Sequence, residues 1–276
     1  MSHETFHTVG PRRILTALRA ARTARFVDLC VAMQESDRSR FWEGFGLETC
    51  PSFRGMSVLE IGCGEGQRAF EITSRGAQRV VGLDPMASSI AAARQRQASN
   101  PWKTQVSFFQ GTIDTLPAET FDIILSENTL EHVLDVPSLL AAIRNRLRAE
   151  GKCYLGFGPL YHAPDGDHGW IRAVLPGRRF FLWPWGHLIF ERYAFNRLSE
   201  IHGRAVRQTR DWPYLSLNQH TGADYKRMFE ECGMRIKFLR TNYVSSLKGH
   251  LVAVAGRLPM LSKYCTLNMF VVLEKA

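Results

Sequence analysis

One stretch constrains the fold of this 276-residue chain more than any other: Val58-Leu59-Glu60-Ile61-Gly62-Cys63-Gly64-Glu65-Gly66. An apolar strand runs into a glycine turn that opens a helix. Glycines are needed where the chain turns sharply and lets its backbone come against a ligand at a helix N-terminus. A dinucleotide site spaces its glycines as GxGxxG around a pyrophosphate. Here the third glycine arrives one residue early, and Glu60 stands just before the turn. That arrangement suits a ligand that carries cationic groups and no phosphate.

Downstream, short β-rich runs alternate with helical runs. Strands are predicted at residues 57–61, 79–83, 105–110, 121–126 and 153–157, and helices at 67–75, 86–99 and 136–149. Such alternation implies right-handed crossovers and a parallel sheet with helices on both faces. The second strand ends in Asp84, 18 residues after Gly66. A carboxylate at that tip accepts ribose hydroxyls in folds of this kind. Residues 11–45 carry apolar positions at helical spacing, and 47–55 forms a linker with Pro51 and Gly55 as breakers. The rhythm breaks between Pro159 and Asn218, a segment rich in Gly, Pro, Trp, Phe and Arg, which is expected to insert over the C-terminal edge of the sheet. A helix at 221–232, capped by Thr221 and stopped by Gly233, a strand at 235–240, a helical stretch near 251–261 and a strand at 266–274 follow. The expected organisation is an N-terminal helical cap (1–55), a ligand-binding core (56–158), an acceptor-binding insertion (159–218) and the C-terminal part of the core sheet (219–276).

The net charge of +9 favours anionic partners. Six cysteines lie scattered, with no CxxC pair and no Cys/His cluster at zinc spacing, which fits a reducing compartment. No apolar run approaches the roughly 20 residues of a membrane span. The expected location is cytoplasmic, with peripheral contact at an anionic membrane surface.

On the glycine turn, Asp84 in register with it and the SENTLEHV segment after the fourth strand, residues 56–158 resemble the class I S-adenosylmethionine-dependent methyltransferases, closest to the small-molecule type 11 branch that includes quinone-biosynthesis enzymes. The resemblance implies a doubly wound α/β sheet of seven strands, mostly parallel, whose seventh strand is antiparallel. It implies S-adenosylmethionine as cofactor, with the methionine end at Glu60, Gly62, Cys63 and Gly64, the ribose and adenine flanked by Asp84, Pro85 and Met86, and the adenine framed by Gly111, Thr112, Ile113 and Asp114. Thr112 replaces the family's usual acidic residue, so recognition of the adenine amino group passes to Asp114 or to backbone. Glu127 and Asn128 border the same site.

Methyl transfer needs an acceptor held in line with the methyl carbon, and a hydroxyl acceptor also needs a base. Histidine titrates nearest working pH. His132 follows the fourth strand beside Glu131, where it either flanks the cofactor or only ties its loop to the next helix. His162 and His168 follow the fifth strand, in a turn-rich loop with Tyr161, Asp165 and Asp167, and are the preferred bases. No metal is expected, although Asp165, Asp167 and His168 would be the ligand candidates if one assists. Residues 176–190 join arginines to a dense aromatic run, which suits an amphiphilic acceptor or an interfacial loop as well as a buried subdomain core. The expected activity is O-methylation of a sugar, glycolipid or other hydroxylated metabolite, so the partner is a small-molecule or lipid-linked glycan acceptor. The alternatives are a quinone-type or RNA methyltransferase and a catalytically silent S-adenosylmethionine-binding subunit. The absence of an Asn-Pro-Pro-aromatic motif weighs against a nucleic-acid amine.

Overall fold

The computed structural model describes residues 40–46, 49–166, 168, 185–189, 217–244 and 247–276. The chain divides into two compact units, Met1–Phe41 and Trp42–Ala276, and the second is described here. Most of the expected N-terminal helices and of the 159–218 insertion, including the aromatic run at 176–184, lie outside the described residues.

Seven strands form one sheet in the order β3-β2-β1-β4-β5-β7-β6. They are β1 (Ser57–Ile61), β2 (Arg79–Asp84), β3 (Val106–Gln110), β4 (Phe121–Glu127), β5 (Leu147–Phe157), β6 (Met234–Thr241) and β7 (Met269–Lys275). Strands β1 to β5 pair in parallel, and β7 runs antiparallel between β5 and β6. The expected doubly wound, mostly parallel sheet is therefore the observed one. Central strands covered on both faces are mainly apolar, and β1 and β4 bury Val58, Leu59, Ile61, Ile123, Ile124 and Leu125, with Glu60 and Ser126 as buried polar exceptions near their C-terminal ends. The chain order reverses between β1 and β4, so a crevice opens at their C-terminal ends.

The helices are α1 (Arg40–Phe45), α2 (Gln67–Ser74), α3 (Ala87–Ala98), α4 (Val136–Arg146), α5 (Gly222–Glu231), α6 (Leu247–Ala255) and α7 (Pro259–Cys265). Helix α5 starts at a full capping box: Thr221 accepts from the Asp224 amide while the Asp224 carboxylate accepts from the Thr221 amide. Two expected boundaries are corrected. The helix expected at 136–149 stops at Arg146, because Leu147 is buried and already paired with Phe121 as the first residue of β5. The single helical stretch expected near 251–261 is two helices. Leu258 precedes Pro259 and is extended, with ψ of 125°, since the proline ring disfavours a helical residue before it. The five described cysteines are all free thiols. Among the described residues no helix is long and apolar enough to cross a membrane.

Candidate active site

The turn after β1 is held by backbone and by one carboxylate. The amides of Gly62 and Cys63 donate to the Leu83 carbonyl at 2.7 and 3.0 Å. Asp84, buried at the tip of β2, accepts from the Gly64 amide through Oδ2 at 2.9 Å and from the Met86 amide through Oδ1 at 2.8 Å. Asp84 thus ties the two strand tips together, and each carboxylate oxygen keeps a lone pair for a ligand hydroxyl.

All three turn glycines have positive φ, but for different reasons. At Gly62 (φ 75°) a Cβ would sit 2.1 Å from Thr129 Oγ1, and at Gly66 (φ 78°) 2.3 Å from the Phe108 ring. Those two positions are closed by the protein's own packing. At Gly64 (φ 50°) a Cβ would meet nothing within 4 Å. Only there does the bare backbone face open space, as close approach by a ligand requires.

Beside the turn lies a buried charge network. Arg68, on the inner face of α2, donates to Glu127 Oε2 through Nε and Nη2 at 3.2 and 2.6 Å, and to Glu71 Oε2 through Nη1 at 2.5 Å. The Trp42 indole donates to Glu71 Oε1 at 3.0 Å. Glu60 is fully enclosed, and burial pushes its carboxyl well above the usual range, with Glu127 and Glu71 adding to the effect and Arg68 opposing it. Glu60 Oε2 and Gln67 Oε1 are buried acceptors with no donor. Two orphan acceptors at the mouth of a glycine turn fit a ligand that brings its own cationic donor.

A second group stands along the same edge, beyond the ends of β4 and β5. Glu131 follows β4 in the short 3₁₀ turn Leu130–His132 and is buried. Its Oε1 accepts from the Gly158 amide at 3.1 Å, and its Oε2 has no partner. Burial raises its carboxyl to about 8, so it is protonated at neutral pH. His168 lies with its ring centroid 5.2 Å from that of His132. Burial, then the neighbouring His132, lower its pKa to about 4, while a bond to the Pro159 carbonyl acts the other way. Because Nε2 has no partner, Nδ1 makes that bond and carries the proton, which leaves Nε2 as a free acceptor. Glu131, His132 and His168 each offer one ligand atom, all within 4.8 Å of one another.

The sequence of residues 59–155 matches the family model described as a methyltransferase domain. Residues 59–155 are a methyltransferase domain. Among relatives of this methyltransferase domain, a ubiquinone biosynthesis O-methyltransferase from Bradyrhizobium sp. (strain ORS 278) is 39% identical over 139 residues, covering 44% of this chain and 54% of that protein. One of the same name from Rhodopseudomonas palustris (strain HaA2) is 35% identical over 166 residues, covering 53% of this chain and 64% of the relative. The chain spans about half the length of the first of these. Solved structures share the fold: an S-adenosylmethionine-dependent methyltransferase from Mesorhizobium loti has a TM-score of 0.55 at 19% identity, covering 87% of this chain and 97% of its own. Geranyl diphosphate C-methyltransferase from Streptomyces coelicolor A3(2), in complex with Mg²⁺, geranyl diphosphate and S-adenosyl-L-homocysteine, has 0.57 at 12% identity, with coverages of 88% and 79%.

The domain's other expected site residues divide by exposure. Pro85, Met86, Thr112, Asp114 and Asn128 are exposed on the C-terminal edge, Glu127 and Gly111 are half-buried, and Cys63 is buried with its thiol kept protonated by burial. Ile113 is 3% exposed and packs in the main core, which leaves little of it to face a ligand. Asn128 adopts the left-handed conformation, φ 47°, which asparagine tolerates. Of the three histidines, His132 and His168 meet, whereas His162 turns elsewhere: its Nε2 lies 3.1 Å from the Gln219 carbonyl, and its ring stacks edge-on to Tyr161 and Tyr264. Asp165 is exposed, and Asp167 is outside the described residues.

Gln67, Arg68, Glu71 and Asn218 escaped the sequence reading. Arg68 was detectable as the one charge on the buried face of a helix whose other inner residues are Ala69, Phe70, Ile72 and Thr73. Asn218 gave no such signal. Its amide nitrogen Nδ2 donates to the Leu130 and Val133 carbonyls at 2.7 and 2.8 Å, its backbone N–H to the Glu131 carbonyl at 2.8 Å, and its Oδ1 accepts from the Tyr225 hydroxyl. It pins the turn that carries Glu131 and His132.

Proposed function

We propose that the chain is an S-adenosylmethionine-dependent O-methyltransferase acting on an aromatic hydroxyl of a quinone precursor. The observation that carries the reading is the cluster of buried Glu131, half-buried His168 with its unpartnered Nε2, and exposed His132, on the same sheet edge as the Gly64–Asp84 cradle. The relatives named as ubiquinone biosynthesis O-methyltransferases support a quinone-type acceptor over the sugar or glycolipid first expected from the sequence.

S-adenosylmethionine supplies an electrophilic methyl carbon on a sulfonium. Glu60 and Gln67 would accept from its ammonium, the bare Gly64 backbone would let the methionine end approach, and Asp84 would accept from the ribose hydroxyls. Neutral His168 accepts the acceptor's hydroxyl proton through Nε2, aligning the oxygen with the methyl carbon. The methyl–sulfur bond would break as the oxygen–carbon bond forms, leaving a neutral thioether, while His168 would take the hydroxyl proton and exposed His132, whose ring lies beside it, would stand next toward solvent. Glu131 is protonated at neutral pH; were it ionised, its negative charge would favour the developing imidazolium.

A second reading rests on the same trio. The close approach of three ligand atoms, two of them buried and unpartnered, suits a divalent cation that acidifies the acceptor hydroxyl. One assay tests both: transfer of labelled methyl from S-adenosylmethionine to a prenylated catechol, compared with glycolipid and RNA pools, with and without chelator. Label in the catechol, insensitive to chelator, is the expected result. Loss on chelation with recovery on adding magnesium selects the metal reading. Label in glycolipid or RNA overturns the acceptor class, and tight cofactor binding without transfer to any pool indicates a silent subunit.

A further inference from the structure

The α6–α7 hairpin is the most apolar exposed surface among the described residues. Leu251, Val254, Leu258, Met260, Leu261 and Tyr264 are all exposed, Met260 to 89%. Scattered exposed apolar side chains are ordinary, but six within fourteen residues of one hairpin form a contiguous patch of the kind that marks an interaction site. Helix α6 is Leu-Lys-Gly-His-Leu-Val-Ala-Val-Ala, and between residues 249 and 264 only Gly249 is buried.

Charge tells what the patch is for. From Leu247 to Cys265 the hairpin carries no acidic residue and three basic ones, Lys248, Arg257 and Lys263. Two of these, Arg257 and Lys263, are exposed within the apolar patch itself. A protein partner that covered six apolar side chains would need no such one-sided field, whereas an anionic lipid surface rewards both at once.

The topology gives the patch its relation to the site. Strands β5 and β6 both run antiparallel to β7, so β6 ends on the same sheet edge as the glycine turn and the histidine pair. The hairpin leaves from that end. Its Tyr264 lies 6.1 Å, ring to ring, from His162, and the Trp185 indole donates to the Tyr264 carbonyl at 2.7 Å. The hairpin therefore borders the loop that follows β5.

We propose that the α6–α7 hairpin docks the protein on an anionic phospholipid bilayer, with Leu258, Met260 and Leu261 entering the interface and Arg257 and Lys263 meeting the headgroups. This holds the site-bearing edge of the sheet at the membrane, where an acceptor with an apolar tail would be found. The proposal stands on the hairpin and does not depend on the acceptor.

The test is sedimentation of the full chain with vesicles of phosphatidylglycerol and phosphatidylcholine, and with phosphatidylcholine alone. Wild type is expected to sediment with the mixed vesicles and to be released by salt. The L258S/M260S/L261S variant should lose about tenfold or more in partitioning, the order expected when a few apolar side chains no longer insert. The R257E/K263E variant should lose its preference for the anionic vesicles. All these side chains are exposed, so unfolding temperatures should not move. Failure of wild type to bind anionic vesicles, or unchanged binding by the triple serine variant, overturns the proposal. So does a wild-type dimer in sedimentation velocity that the serine variant converts to monomer without any vesicle binding, which would make the patch a contact between copies. Methyl transfer to a water-soluble phenol without vesicles should be equal in wild type and the serine variant. Its absence from both would overturn the acceptor reading and leave vesicle binding untouched.

Discussion

The two glycines flanking Cys63 should answer to substitution in opposite ways. Alanine at Gly64 places a Cβ in open space at φ 50°, so the folded state bears only the left-handed strain of roughly 1–2 kcal/mol. Alanine at Gly62 bears the same strain at φ 75° and also drives its Cβ to 2.1 Å from Thr129 Oγ1. Thr129 must then rotate and give up its hydroxyl bond to the Glu127 carbonyl at 2.9 Å, a loss of about 0.5–1.5 kcal/mol, in a loop pinned on both sides. Displacing packed atoms adds about 1–3 kcal/mol. Gly62→Ala should therefore unfold at roughly 2–4 kcal/mol less than Gly64→Ala in urea titrations, from the difference between these terms. Removing Thr129 as well should recover much of the loss, with a coupling of about 1–2 kcal/mol in a double-mutant cycle. Binding should show the reverse order. Calorimetry with S-adenosylhomocysteine is expected to give Gly64→Ala a deficit of tenfold or more, about 1.4 kcal/mol, and folded Gly62→Ala a near-normal affinity. Equal stability losses at the two positions, or no rescue by Thr129→Ala, would refute the division between packing and ligand glycines.

Glu131 makes the stability of the fold depend on pH. Its folded-state pKa is raised from 4.5 to about 8, so the folded chain holds the extra proton and stability falls as pH rises through that window; in metal-free buffer the fall between about pH 6 and pH 9 is roughly 2–3 kcal/mol and should vanish in Glu131→Gln. At Glu60, whose carboxyl is pushed up by burial, a bound cation favours ionisation, so S-adenosylhomocysteine should bind more weakly as pH falls and should release a proton detectable in buffers of different ionisation enthalpy; parallel profiles for wild type and Glu60→Gln would contradict this. His168→Ala should lower turnover by at least about tenfold with cofactor affinity intact, while His162→Ala, whose ring packs on Tyr264, should have a smaller effect; the opposite ranking in single-turnover assays would move the base to His162.

The parallel core was legible because its physics is local. Each strand announced itself by an apolar run ending at a turn, and β1, β2 and β4 differ from expectation by at most one residue. The turn glycines and Asp84 were legible for the same reason. The acceptor side was not, since it is assembled by contacts between residues far apart in the chain. His168 meets His132 across 36 positions and Asn218 reaches Leu130 across 88, and no periodicity encodes either. Nothing in the residues around His162 and His168 separates the two, although tertiary packing gives one a buried acceptor nitrogen and the other an exposed carbonyl neighbour. The break between α6 and α7 was written in Pro259, but an apolar run with helical spacing masked it.

The electrostatics of the sheet edge follow from where these groups stand. Around the tip of β1, Glu71 pairs with both Arg68 and Arg75, and Glu127 pairs with Arg68, beside the buried Glu60. The two arginines balance those two carboxylates while Glu60 holds a proton, and the pocket gains a negative charge when Glu60 ionises. Past β4, protonated Glu131 and neutral His168 leave their pocket uncharged at neutral pH apart from the exposed His132. The first pocket stands at the tips of β1 and β4 and the second at the ends of β4 and β5. A ligand with a cationic end and a neutral hydroxyl partner thus meets a field that sorts them: the cation is drawn to β1, and the hydroxyl takes the place where no charge opposes it. Reversing the two would bury a cation against His168 and leave the Glu60 and Gln67 acceptors without donors, each costing about 1–3 kcal/mol. Orientation along the edge is therefore set by the protein before any acceptor-specific contact is made.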